Sequence, residues 1–304
     1  MYTDSHTHLN ISPLLENRET HLQDFVDIWW VWLSLIWTNL EDSRQAIKQA
    51  TSYELRATSA NKKHLARSTK HEALKVGATI GIHPEFAWKV WIQESIQELE
   101  LILQADANNR VQWKPNIIWI WEIGTDLHRE EYRPFHKEQK LLFQAQCELA
   151  RKYNLPIIIH SRDDFEGTFR TLKDCFKLPV TSNQWNQINK VYFHCRGYWP
   201  EELTALKDWE HEARGTKFFV GFCWNITYPK AQVLRDSFQY CLDHNINILL
   251  ETDAPFLAPQ AIRWQQNTPA QIIHSYQYIS DYFNIELDKL KKMVYDNFMK
   301  LYYP

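Results

Sequence analysis

Near its start the chain carries Asp4-Ser5-His6-Thr7-His8. In an extended segment residues i and i+2 project to the same side, so His6 and His8 aim two imidazoles at one point. Further ligand-type residues close short apolar runs. Glu122 ends the run 117–122, His160 ends 156–160, His194 ends 190–194, and Asp253 follows 246–251. Four imidazoles and two carboxylates form a donor set suited to one or two divalent cations. Singly, each residue has a plainer use. An HxH pair can lie on the surface, a histidine closing a strand can be a satisfied core group, and Asp253 can cap the loop before Pro255. The joint pattern points to a metal site if the fold brings the ends of these runs together.

The elements that must position them are legible from periodicity. Strand-like runs occupy 2–4, 31–37, 75–82, 117–122, 156–160, 190–194, 217–222 and 246–251. Amphipathic stretches lie between them. In 136–153, Leu141, Leu142, Ala145, Leu149 and Ala150 recur at helical spacing, and 164–176, 200–212 and 229–244 read the same way. The tail 268–302 reads as two more helices. Eight strands alternating with helices imply a closed parallel barrel or a doubly wound sheet. In a barrel the C-terminal ends of the strands ring one site, the face on which the six candidate ligands fall. The polar stretches 54–72, 105–116 and 181–189 precede strands, belong to the opposite face, and are assigned no catalytic role.

Composition narrows the class. The 304 residues are 44% hydrophobic and 23% charged, which excludes disorder, collagen and coiled coil. Lys and Arg number 34 against 37 Asp and Glu, so the net charge of −3 excludes a globally basic nucleic-acid coat while allowing a local basic patch. No apolar run reaches the roughly 18 residues a membrane span needs. Five cysteines, none in CxxC spacing, read as neither a disulfide framework nor a zinc knuckle. A cytoplasmic location, with no membrane partner, is the expectation.

The motifs resemble the TatD family of metal-dependent DNases, within the amidohydrolase-type barrels. The resemblance runs through DSHTHLN, GIHP (81–84), EIGTD (122–126), LPIIIHSRD (155–163), FHC (193–195), LLETDAPFLAP (249–259) and NTPA (267–270), and ends in Asn297-Phe298 and Leu301-Tyr302. It implies an α/β fold, a (β/α)8 TIM barrel with additional C-terminal helices, as a single domain over 1–304. It also implies two divalent metal ions, Mg2+ by preference, with Mn2+ or Zn2+ as further fits. His6, His8, Glu122 and Asp253 would hold one ion, and Glu122 would bridge to a second held by His160 and His194. The implied activity is hydrolysis of DNA, as a 3′-5′ exonuclease on single strands. Two metals can clamp both oxygens of a phosphodiester and lower the pKa of bound water, and Asp253 is placed to take the water proton.

Outside the ligand set, His83 ends the third strand. It is read either as a contact to substrate or a ligand, or as a structural histidine. Arg129, Arg133, Arg162, Arg196 and Arg263 follow strand ends, where guanidinium groups could draw in a phosphate backbone despite the net negative charge. Each has a loop salt bridge as its plainer use, Arg162 beside Asp163 above all. Two other classes compete with the nuclease. One is a metal-dependent hydrolase of another ester or amide, such as an aminoacyl-tRNA ester; the other is a non-catalytic barrel. Glu122 rather than a lysine closes the fourth strand, which favours the nuclease, and the intact ligand set argues against a binding-only barrel.

One composition feature is abnormal. The 7 glycines and 14 tryptophans together make 21 of 304 residues, close to the usual glycine share of about 7%. Trp37, Trp121, Trp224 and Trp264 stand where the family pattern has glycine. Glycine permits tight turns and close backbone approach; an indole does neither. The expectation is that many of these codons are UGA read as glycine. The competing reading is a tryptophan-rich barrel with stacking surfaces for bases.

Overall fold

The computed structural model describes residues 1–27, 30–35, 39–41, 43, 75–108, 117–177, 188–195, 199–213 and 215–302. Eight strands form one parallel sheet in sequence order: β1 Tyr2–Thr7, β2 Trp30–Leu35, β3 Lys75–Ile80, β4 Ile117–Asp126, β5 Ile157–Arg162, β6 Lys190–Phe193, β7 Lys217–Phe222 and β8 Asn247–Leu250. The sheet closes on itself. Thr7 bridges Ala254 in parallel, the His8 N–H donates to the Ala254 carbonyl at 2.7 Å, and the Asp253 N–H donates to the His6 carbonyl at 2.9 Å. The expected α/β barrel is therefore present.

The described helices are α1 Arg18–Asp27, α2 Ile92–Asn108, α3 His136–Tyr153, α4 Phe165–Lys177, α5 Pro200–Glu212, α6 Gln232–Asp243, α7 Ile272–Tyr282 and α8 Leu287–Tyr302. α3 and α5 have the bounds the apolar periodicity predicts, although Leu141 of the expected stripe is exposed. α3 shows why: Leu142, Phe143, Cys147, Leu149 and Ala150 are buried against the sheet, and Asn154 ends the helix in the left-handed conformation at φ 54°. The C-terminal α8 closes the barrel floor. Its Phe298 and Leu301 join Trp119, Trp121, Tyr192, Phe219 and Leu249 in one buried cluster, and Asn297 Nδ2 donates to the Ile248 carbonyl at 3.1 Å.

Strand lengths differ from expectation where side-chain pattern and backbone pairing disagree. β4 runs on to Asp126, four residues past the expected end, because Gly124, Thr125 and Asp126 continue the ladder opposite His160, Ser161 and Arg162. The β4–β5 register also jumps from Ile120↔Ile157 to Ile123↔Ile159, a bulge of one extra residue on β4. A bulge bends the strand and re-aims side chains. It lies at Trp121 and Glu122. Of the stretches read as polar insertions, 54–72, 109–116 and 181–187 lie outside the described residues.

Candidate metal centre

β1, β4, β5, β6 and the turn after β8 bring the six expected ligands to the C-terminal mouth of the barrel. Alternation along β1 points His6 and His8 the same way, and their Nε2 atoms face each other at 3.0 Å. His6 Nε2 lies 3.3 Å from Asp253 Oδ1, and His8 Nε2 lies 3.5 Å from the same oxygen. On the other side, His160 Nδ1 and His194 Nε2 face each other at 3.1 Å. Glu122 sits between the two pairs. Its Oε1 is 2.7 Å from His194 Nε2, 3.7 Å from His160 Nδ1 and 3.8 Å from His6 Nε2. Among the six expected ligands, three triads have ligand atoms within 4.8 Å of one another: His6–His194–Asp253, His6–His8–Glu122 and Glu122–His160–His194.

The local backbone is built for these placements. Gly81 lies where β3 approaches β4 so closely that a Cβ would fall 1.4 Å from the Trp121 carbonyl oxygen. Gly124 holds φ at +146°, and a Cβ there would fall 1.9 Å from the His160 carbonyl oxygen. Three strand-end residues take left-handed backbone, Asp163 at φ 57°, Cys195 at 46° and Asp253 at 50°. Such conformations persist where surrounding contacts hold them, and they cluster at functional sites. Asp253 is held through its N–H to His6. Cys195 is held through its N–H to the Glu251 carboxylate and its thiol to Asp253 Oδ2 at 3.3 Å.

The electrostatics suit cation binding. Burial works against ionising Glu122, yet His194 and His83 hold it well below the usual carboxylate range. Asp253 is likewise held low against burial, by His8 and His6. Burial drives His6 far below the ordinary histidine range, and His194 adds to the effect. Burial disfavours charge on His160 as well, but Asp126 and Glu122 outweigh it and hold the ring up at about 9. Glu122 and Asp253 thus stay anionic beside a neutral His6, while burial raises the carboxyl of Glu251 to about 7. His6 Nδ1, His8 Nδ1 and His194 Nδ1 are buried without a hydrogen bond. Neutral imidazole and carboxylate are the ligand forms that divalent cations bind, so the residues fit such an ion.

Two carboxylates escaped the sequence reading. Asp126 Oδ2 lies 3.1 Å from His160 Nε2 and forms a further triad with His83 and His160. Glu251, wholly buried, faces His6 and His194 from behind. The signal was in the sequence, since both residues lie in the EIGTD and LLETDAP motifs. Assigning them needed the extension of β4 and the inward turn of the β8 end. His83 lies beside the ligands, 3.5 Å from Glu122 Oε2 and with its ring 4.4 Å from that of His160. Burial, reinforced by His160, depresses it to about 3, so it is a neutral ring.

Arg129, Arg162 and Arg263 are exposed. Arg129 pairs with Glu131 of its own loop at 3.5 Å, Arg133 donates to the Leu127 carbonyl, and Arg263 stacks over the Tyr228 ring at 4.5 Å. Arg196 lies outside the described residues.

Among the tryptophans, Trp121 is housed rather than excluded, contrary to the steric expectation. The barrel interior beneath the histidines accepts its indole at 0% exposure, with the ring 4.0 Å from that of His6. Its Nε1 is buried without a hydrogen bond, as is that of Trp224. Trp264 is 92% exposed, and Trp37 lies outside the described residues.

Fold and site together define a metal-dependent hydrolase barrel. The chain belongs to the family of TatD related DNases, whose sequence pattern matches residues 3–303. It is 28% identical over 304 residues to an uncharacterized metal-dependent hydrolase of Mycoplasma pneumoniae, covering 99% of each chain. It is 27% identical over 233 residues to the 3′-5′ ssDNA/RNA exonuclease TatD of Pantoea ananatis, covering 74% of this chain and 77% of that one. The crystal structure of a TatD homologue from Escherichia coli has the same fold, with a TM-score of 0.73 at 21% identity, covering 100% of this chain and 98% of that one. Among the described residues, no helix is long and apolar enough to cross a membrane.

Proposed function

We propose that the chain, acting as one barrel domain, is a divalent-metal-dependent deoxyribonuclease that hydrolyses phosphodiester bonds as a 3′-5′ exonuclease on single strands. The observation that carries this reading is Glu122 standing between two imidazole pairs, the arrangement a bridging carboxylate needs between two cations. His6, His8 and Asp253 would complete one half and His160 and His194 the other, with Mg2+, Mn2+ or Zn2+ as the ions. Such ions, when bound, lower the pKa of water and neutralise charge on the phosphodiester.

The chain's own residues then do the following. Asp253 has 14% of its side chain exposed against 6% for Glu122, so it reaches toward the mouth and can take a proton from an attacking water. Neutral His83, beside Glu122 and His160, can donate a hydrogen bond to a phosphate oxygen. The exposed Arg129, Arg162 and Arg263, with Arg196, supply contacts for the DNA backbone. The single-strand 3′-5′ preference draws on the likeness to the exonuclease of Pantoea ananatis, and the cysteine usage supports a reducing, cytoplasmic setting.

The test is incubation of chelated and of Mg2+- or Mn2+-reloaded protein with end-labelled single- and double-stranded DNA, beside an aminoacyl-tRNA control. Metal-dependent mononucleotide release from 3′ ends of single strands is expected. Cleavage of the aminoacyl ester with DNA left intact would replace this reading with the other hydrolase class.

A further inference from the structure

Resting on the reading of this cluster as a metal centre, we propose that Glu251 is a positioning residue that sets the tautomer of both His6 and His194, one buried carboxylate thereby serving both halves of the centre. Its two oxygens divide between the two rings. Oε2 lies 3.5 Å from His6 Nδ1, and Oε1 lies 4.0 Å from His194 Nδ1. Both rings turn their other nitrogen inward, His6 Nε2 toward Asp253 and Glu122, His194 Nε2 toward Glu122.

A neutral imidazole carries one N–H and one lone pair. An acceptor behind Nδ1 keeps the proton there and leaves the Nε2 lone pair facing the cation. A ligating histidine commonly donates its second N–H to such a group, which also raises its basicity. Neither Nδ1 makes a hydrogen bond, and both are buried, so Glu251, the carboxylate that faces each of them, is the acceptor the geometry offers. Separations above hydrogen-bond length are common in sites that tighten only around their ligands.

The carboxylate is fixed in turn. The Tyr192 hydroxyl and the Cys195 N–H both donate to it. Tyr192 Oη lies 2.8 Å from Ser5 Oγ, which donates to the Leu250 carbonyl at 3.1 Å. The left-handed backbone of Cys195 turns its N–H inward immediately after His194. On β7, Gly221 leaves the needed room, since a Cβ there would lie 2.5 Å from Tyr192 Oη and 3.0 Å from Glu251 Oε1. Residues from β1, β6, β7 and the end of β8 therefore converge on one carboxylate that touches no solvent.

Two measurements decide it. Imidazole 15N signals of histidine-labelled, chelated protein report which nitrogen of each ring holds the proton, and EPR of free Mn2+ gives its affinity. Wild type is expected to show His6 and His194 protonated at Nδ1. Glu251→Gln should shift both rings away from that tautomer and weaken Mn2+ binding by at least about tenfold. Tyr192→Phe, which loosens the carboxylate without removing it, should change both readouts in the same direction but less, and it decides the matter if Glu251→Gln does not fold. Unchanged imidazole signals with wild-type Mn2+ affinity in the variants would overturn the proposal. Wild type that binds no Mn2+ would overturn the metal reading instead, while the tautomer signals of the metal-free protein still judge Glu251.

Discussion

The Asp253 N–H donates to the His6 carbonyl at 2.9 Å, tying the first and last of the six expected ligands together across the barrel seam. The same two residues meet through side chains, with His6 Nε2 3.3 Å from Asp253 Oδ1. The hydrogen bond that closes the barrel therefore also assembles one side of the centre, which couples folding to ligand placement.

Asp253→Asn keeps the shape of this corner and removes its proton acceptor. Turnover on end-labelled single-stranded DNA should fall at least about 10²-fold, the usual contribution of a positioned acid–base group, with an unchanged circular dichroism spectrum. Wild-type turnover in the variant would remove Asp253 from the mechanism.

Arg263→Ala should act on binding instead. The guanidinium is exposed and stacked on Tyr228, so its loss should weaken DNA binding and lower the slope of log K against log salt by up to about one. Identical slopes from titrations at several salt concentrations would exclude a phosphate contact there.

Gly81→Ala tests the β3–β4 approach. With a Cβ falling 1.4 Å from the Trp121 carbonyl oxygen, the strands must part, at a cost of roughly 1–3 kcal/mol or more. Urea unfolding of the chelated protein should show a lower midpoint with an unchanged slope.

Lys190 gives a pH signature. Burial, reinforced by Lys217 opposite it in the ladder, lowers its ammonium to about 8. Between pH 8 and 10.5 the unfolded chain keeps a proton that the folded chain has released, so stability contributed by this group rises with pH across that window. Below pH 8 the penalty is fully present. Lys190→Met should therefore raise the melting temperature at pH 7, with the gap to wild type narrowing toward pH 10. A pH-independent gap would show that the lysine does not titrate early.

Trp121→Gly separates the two origins of the tryptophan excess. If UGA encodes glycine, the native gene carries UGA at most of the fourteen tryptophan positions, native peptide masses show glycine at 121, and the glycine form is the more stable recombinant protein. If the indole is genuine, its removal empties a site that is fully buried and costs about 3–5 kcal/mol. UGG codons at 37, 121, 224 and 264 would settle the matter for tryptophan, and exposed Trp264 would then be a surface for stacking bases.

Much of this protein is determined by local pattern. Alternating strand and helix periodicity is enough for a closed parallel barrel, since each strand buries both faces and each helix one stripe. The HxH spacing and the ligand-type residues closing the apolar runs 117–122, 156–160 and 190–194 name His6, His8, Glu122, His160 and His194, because strand ends on one face of a barrel must meet. What chain order cannot express is depth and direction. Asp126 reaches His160 only because backbone pairing carries β4 past its apolar run, and Glu122 faces the histidines across a bulge visible only in the ladder to β5. Glu251 is adjacent to Thr252 in sequence but lies against Tyr192 and Cys195 in space, behind the histidines it faces. Those relationships depend on register, twist and closure, which arise when distant strands pair and are set by the whole barrel.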